Sequence, residues 1–274
     1  MCRWLAYSGA PVLLDELLFK PKHSLIDQSM SAKAAVTVTN GDGFGVGWYD
    51  LRGRPALFRS IRPAWNDFNL LEICSIIESP LFLAHVRAAS QAAVQETNCH
   101  PFRKGRWLFV HNGEIHGIEK IRRELLFAVD PELFPLINGT TDSEVMFYLM
   151  LTFGLDGDPL GAAERMAGFV EAAARRTGVS DPLWMTLGFS DGHTLYAVRY
   201  ATDGDAPTLF HSREMDDLYE LNPALRRVFA RSARAVVSEP LGSVAAAWTE
   251  IPQRTVLIVS PSGVESRPFI PRAP

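Results

Sequence analysis

The sequence predicts an α+β fold in which two sheets are covered on the outside by helices. Strand-like apolar runs come early, helical patterns occupy the middle, and short strands return from residue 183 onward. No linker or internal repeat divides the 274 residues. Each sheet has to bury a face and each helix a stripe, and two sheets stacked with helices outside them satisfy both.

Composition narrows the function. Hydrophobic residues make up 47% and charged residues 21%, ordinary values for a globular protein with a substantial core. A net charge of -4 and a pI near 6.0 leave no basic footprint, so nucleic acid is not an expected partner. No apolar run reaches the roughly 18 residues of a membrane span. The start, with Arg3 followed early by Asp15 and Glu16, does not read as a secretory signal. Cys2, Cys74 and Cys99 are too few and too scattered for a disulfide framework or a zinc site. A reducing, cytoplasmic compartment fits this usage.

Taken in order, residues 11–30 read as a loop and short helix punctuated by Pro11 and Pro21. Residues 34–39 are β-branched and strand-like. They run into Asn40-Gly41-Asp42-Gly43-Phe44-Gly45-Val46-Gly47-Trp48-Tyr49, where glycines imply positive φ or close backbone approach. No helical pattern follows, so this is no dinucleotide fingerprint. A hairpin fits, with strands at 46–49 and 56–61 across Arg52-Gly53. Residues 66–78 place Phe68, Leu71, Cys74 and Ile77 at near-helical spacing before Pro80, which makes Cys74 a core residue. Residues 81–90 form a buried strand carrying Arg87 near its end. Such an arginine suits either a carboxylate clamp, through its planar fork, or a structural salt bridge.

A polar loop, 96–102, leads to a strand at 107–110 that ends in His111-Asn112-Gly113-Glu114. Asn-Gly between apolar runs signals a hairpin turn. Alternatively, the Asn amide and the following Gly N–H are adjacent donors, the makings of an oxyanion hole. Residues 115–129 are helical, with Ile118, Ile121, Leu125 and Leu126 on one side. Thr141-Asp142-Ser143-Glu144 is a capping box opening the next helix, whose apolar face is Val145, Met146, Leu149 and Met150. Asp142 suits the helix dipole there, and is also placed to hold a ligand ammonium. An alanine-rich helix spans 160–176 and stops at Gly178. Strands follow at 183–189, 194–200, 228–231, 235–238 and 255–259, with a turn at Asp191-Gly192.

Cys2 is the candidate nucleophile. Removal of Met1 gives it a free α-amine, and one residue then holds both a thiol and a base. The amine's ordinary pKa is about 7.7–8, so a useful fraction is unprotonated at neutral pH.

Met1-Cys2-Arg3-Trp4-Leu5, Asp42-Gly43-Phe44-Gly45-Val46-Gly47-Trp48, His85-Val86-Arg87-Ala88-Ala89-Ser90, Asn98-Cys99-His100-Pro101-Phe102, His111-Asn112-Gly113-Glu114 and Thr141-Asp142-Ser143-Glu144 occur in this order. Together they resemble class II glutamine amidotransferases, members of the N-terminal nucleophile hydrolases. The resemblance runs to about residue 155, and Ser238-Glu239-Pro240-Leu241 is similar to a late strand end of the family. It implies a four-layer αββα sandwich and one glutamine amidotransferase domain over residues 1–274, with Cys2 as the mature N-terminus. It further implies that Cys2 attacks a side-chain carboxamide, that Asn112 and the Gly113 N–H hold the oxyanion, and that Arg87 and Asp142 hold the substrate α-carboxylate and α-ammonium. Glutamine or a γ-glutamyl compound is the implied substrate, a γ-glutamyl thioester the intermediate, and no cofactor is involved. His100 and His111 are implied to be structural.

Two features depart from the larger family. Biosynthetic members carry a second, ammonia-consuming synthase domain for which this length has no room, which leaves a separate synthase partner as an alternative. The loop that in many members holds an arginine before Asp-Ser-Ala-Gly reads Asn40-Gly41-Asp42-Gly43. Both departures resemble the stand-alone branch, which includes a γ-glutamyl amidase of the ergothioneine pathway. A glutamine-binding module without turnover is a further alternative.

Overall fold

Strands with both faces buried build the centre of the molecule. The computed structural model describes residues 2–33, 39–89 and 92–274. In chain order the elements are β1 (Arg3–Leu13), α1 (Asp15–Leu18), α2 (Leu25–Met30), β2 (Phe44–Tyr49), β3 (Pro55–Ser60), α3 (Phe68–Ile76), β4 (Glu78–Val86), β5 (Phe102–Lys104), β6 (Trp107–Ile115), α4 (Ile118–Ala128), α5 (Asp142–Thr152), α6 (Pro159–Arg176), β7 (Leu183–Ser190), β8 (Leu195–Ala201), β9 (Phe210–Ser212), α7 (Met215–Leu221), β10 (Arg234–Val237), β11 (Trp248–Glu250), β12 (Thr255–Ser260) and β13 (Gly263–Pro268).

Among the described residues there are two antiparallel sheets. One is ordered β11-β9-β10-β1-β4-β2-β3, the other β13-β12-β8-β7-β6-β5. Trp4, Ala6, Leu81, Leu83 and Val236 of the first meet Leu108, Val110, Ala197 and Leu257 of the second in a shared inner core. The outer face of the first sheet packs Leu5, Tyr7, Phe82 and Ala84 against Leu17, Leu18, Leu25, Leu70 and Leu218 of α1, α2, α3 and α7. The outer face of the second packs Phe109, Met185 and Leu187 against Ile121, Phe147, Met166 and Val170 of α4, α5 and α6. Alternate residues of β1 thus enter different cores, as strand geometry requires. The result is four layers, αββα, as expected from the sequence.

Several local expectations are corrected. Residues 11–13 end a long first strand instead of opening a loop. The β1–β4 register jumps between Ser8↔Leu81 and Val12↔Ser79, so Pro11 and Pro80 both lie at an irregularity where a missing N–H costs the ladder little. Pro80 is therefore inside β4, and α3 ends earlier, at Ile76. Asn112-Gly113 is not a turn: β6 runs through it, with Asn112 opposite Thr186 and Gly113 opposite Met185. Residues 228–231 form no strand, and a 3₁₀ turn precedes them. The strand-like stretch 34–39 lies, apart from Thr39, outside the described residues.

Thr141 caps α5 as its sequence indicates, its Oγ1 accepting the Glu144 N–H at 3.1 Å. Loss of such a cap typically costs about 1 kcal/mol. The reciprocal half of the box is used differently. Glu144 accepts the N–H groups of Asn138 and Gly139 instead, tying down the approach to Asp142.

Candidate active site

Cys2 stands just before the first ladder pair, Arg3↔Val86 of β1 and β4. It is half-buried, and its Sγ lies 3.6 Å from the carbonyl oxygen of Ala88. Burial pushes the thiol up from its ordinary range, opposed by that carbonyl contact and by the guanidinium charges of Arg87 and Arg3. At neutral pH the sulfur is therefore held as a thiol, and nucleophilic use of it requires a base.

Arg87 follows β4 directly and is fixed through its backbone. Its N–H donates to Gly43 at 2.8 Å, its carbonyl accepts from Asp42 at 3.0 Å, and Asp42 Oδ2 takes the Ala89 N–H at 2.8 Å. Gly43 has φ +112°, and a Cβ there would sit 2.6 Å from Cys99 Sγ and 2.8 Å from the Ser60 carbonyl, so only glycine fits this clasp. The Arg87 side chain is 3% exposed and donates to the carbonyl oxygens of Ala92 at 3.1 Å and Asp42 at 3.5 Å. Among the described residues it pairs with no carboxylate, which removes the structural salt-bridge reading.

Asn112 and Gly113 lie in β6, on the facing sheet. Asn112 is 1% exposed, yet neither its Oδ1 nor its Nδ2 has a partner among the described residues. A buried amide left so costs on the order of 1–3 kcal/mol per unmet group and calls for an explanation. Its backbone carbonyl receives the Thr186 hydroxyl at 3.4 Å, and that hydroxyl accepts the Trp4 Nε1–H at 3.0 Å. Thr186 thereby joins β1, which carries the sulfur's end of the chain, to the strand bearing Asn112. At Gly113 φ is +148°, and a Cβ would meet the Trp184 carbonyl at 1.9 Å. The backbone here admits no side chain.

Asp142, the first residue of α5, is bound to the end of β6. Oδ2 accepts the Ile115 N–H at 2.9 Å, and Oδ1 accepts the Ser143 N–H at 2.7 Å and hydroxyl at 3.2 Å. No cation pairs with it among the described residues.

His85 in β4, His100 just before β5 and His111 in β6 are all buried. His85 Nε2 donates to the His111 carbonyl at 3.1 Å, and the His85 and His100 rings lie 4.2 Å apart. His111 Nδ1 donates to Ser143 Oγ at 2.8 Å, since the hydroxyl's own proton goes to Asp142. Burial drives all three pKa values down. His85 falls to about 3, the neighbouring histidines and Arg87 add to the fall at His100, and the Asp142 charge partly offsets it at His111. Neutral imidazoles here brace the strand before Asn112.

Separate contacts run from Cys2 Sγ to the Ala88 carbonyl beside Arg87 at 3.6 Å, from β1 to the Asn112 carbonyl through Thr186, and from His111 to Asp142 through Ser143. Two cavities lie elsewhere. One of about 460 Å³ opens between α1, α7 and the outer face of β1 and β10, and one of about 180 Å³ lies beside Arg59, Arg103 and Glu144. Neither is lined by Cys2, Arg87, Asn112 or Asp142. Among the described residues no group of three His, Cys, Asp or Glu side chains is placed to hold a metal ion. No helix among them is long and apolar enough to cross a membrane. Sequence reasoning missed Thr186, Ser143 and the buried Arg3–Glu239 pair. The last left one trace, the motif around Glu239.

The chain is similar to known proteins along most of its length. The family model for class-II glutamine amidotransferases matches residues 20–263. The probable glutamine amidotransferase DUG3 of Saccharomyces cerevisiae is 33% identical over 302 aligned residues, covering 98% of this chain and 85% of its own length. The gamma-glutamyl-hercynylcysteine sulfoxide hydrolase of Mycolicibacterium smegmatis is 31% identical over 180, covering 64% of this chain and 72% of its own. Among solved structures, a glutamine aminotransferase class-II domain protein from Silicibacter pomeroyi aligns with TM-score 0.73 and 35% identity, over 98% of this chain and 100% of its own.

Proposed function

The chain belongs to the class II glutamine amidotransferases, enzymes acting on linear amide C–N bonds, and from that premise we propose that it hydrolyses the γ-glutamyl amide of glutamine or of a larger γ-glutamyl compound. In this reading residues 1–274 act as one glutamine amidotransferase domain in the cytoplasm, with Met1 removed and Cys2 leading. The α-amine of Cys2 takes the thiol proton as sulfur attacks the γ-carbonyl carbon. Asn112 Nδ2 and the Gly113 N–H receive the oxyanion. The C–N bond then breaks, the departing nitrogen takes the proton and leaves as ammonia or amine, and water cleaves the Cys2 thioester to free glutamate.

The observation that carries this reading is a pair of opposite charges without counter-ions. Arg87 and Asp142 are both fixed by backbone bonds, and neither has an ionic partner among the described residues. An α-amino acid end supplies one carboxylate and one ammonium, which matches them. A second substrate has support too, because one relative is named a γ-glutamyl-hercynylcysteine sulfoxide hydrolase. The test is glutamate release by the purified protein from glutamine and from a panel of γ-glutamyl amides, with Cys2→Ala alongside. We expect turnover by the wild type and none by the variant. Wild-type rates from Cys2→Ala would show that the nucleophile is misassigned, and activity appearing only with an added synthase would identify an ammonia-supplying subunit.

A further inference from the structure

The start of β1 contains a buried ion pair that the proposed reaction does not use. Arg3 and Glu239 are each 2% exposed, with Arg3 Nε 2.7 Å from Glu239 Oε1. The same guanidinium donates through Nη1 to the carbonyl oxygen of Cys2 at 2.8 Å. Glu239 is itself immobilised: Oε2 accepts His23 Nε2 at 2.9 Å and the Lys33 N–H at 3.1 Å, and its backbone carbonyl accepts Gln28 Nε2 at 3.3 Å. The adjacent Ser238 binds Trp4 twice, through Oγ and through its own N–H, each at 3.0 Å.

Two physical points give this arrangement a purpose. A buried ion pair loses its hydration, and apolar residues of the same volume are often no less stabilising, so stability alone does not account for it. Cys2 precedes the β1–β4 ladder, and chain ends outside a ladder fray. Among the described residues its polar contacts are the long one from Sγ to Ala88 and the short one from its carbonyl to Arg3. The second fixes ψ of Cys2, and so the direction in which its sulfur and amine leave the strand.

We propose that Arg3, held by Glu239, is the positioning residue for the nucleophile, clamping the Cys2 peptide so that the thiol and α-amine face the substrate carbonyl. This rests on Cys2 being the nucleophile. A misplacement of about 1 Å in a reacting group lowers rates by about 10²-fold, while substrate affinity is set elsewhere, by Arg87 and Asp142.

The experiment is steady-state kinetics on the best γ-glutamyl substrate with Arg3→Lys, Glu239→Gln and Cys2→Ala, each checked by thermal melting. Arg3→Lys leaves a cation for Glu239 but lacks the fork that also reaches the Cys2 carbonyl. We expect kcat to fall about 10- to 100-fold in Arg3→Lys and in Glu239→Gln, with KM within about threefold of wild type and folding retained. If one variant does not fold, the other decides. Wild-type kcat in a folded Arg3→Lys or Glu239→Gln, or a loss expressed wholly in KM, overturns the proposal. If Cys2→Ala remains active, the failure belongs to the nucleophile assignment instead.

Discussion

In the proposed reaction Arg87 and Asn112 differ in what each offers a substrate, and kinetics separates the two. Arg87 presents a fixed guanidinium whose geometry suits a carboxylate that is the same in ground and transition states. Arg87→Lys keeps the charge and loses the bidentate fork, so KM rises while kcat changes little. Asn112 offers an unpartnered amide to charge that develops only during attack. Asn112→Ala lowers kcat by about 10²–10³-fold with KM nearly unchanged. Michaelis–Menten analysis of the two variants checks both, and the opposite split would reverse these roles. At this scale the sequence marks candidates where residue type and local order suggest chemistry, as at Cys2, Arg87, Asn112-Gly113 and Asp142. It is silent where partners are distant: Arg3 meets Glu239 across 236 positions, and no spacing rule links such a pair.

Elements were legible in proportion to how far local chemistry agreed with tertiary packing. The β2–β3 hairpin, α6 and the β7–β8 hairpin have periodic apolar residues and turn residues that favour one outcome, and the chain follows it. β1 was obscured by Pro11, which reads as the punctuation of a loop but is absorbed at the irregular register beside β4. The Asn112-Gly113 pair likewise has local chemistry for a turn. Eight consecutive pairings between β6 and β7, from Leu108↔Ser190 to Ile115↔Leu183, outweigh it and hold the pair in extended chain. β9 and β11 have three residues each, and β13 is largely exposed, so neither length nor alternation marks them.

At the scale of the whole molecule, stacking two sheets lets residues from distant stretches of sequence meet across one interior, at the expense of enclosing three neutral histidines. Their pKa values lie below the ordinary 6.5, so the unfolded chain takes up protons below that pH while the folded chain does not. They therefore cost no stability through protonation above about pH 6.5 and destabilise the fold as pH falls, by about 1.4 kcal/mol per unit for each histidine protonated only when unfolded. Glu144, raised by burial, acts in the opposite sense but is one group against three. Thermal melts should show Tm falling from pH 7 to pH 5, whereas a flat or rising profile would mean these imidazoles are not buried in neutral form. The role of Cys2 is tested most directly by intact-mass and peptide mapping of active enzyme quenched in acid during turnover. Protein lacking Met1, with a γ-glutamyl group on the Cys2 peptide, is the expected result. Full activity with Met1 retained, or an acyl group on Cys99, would contradict it.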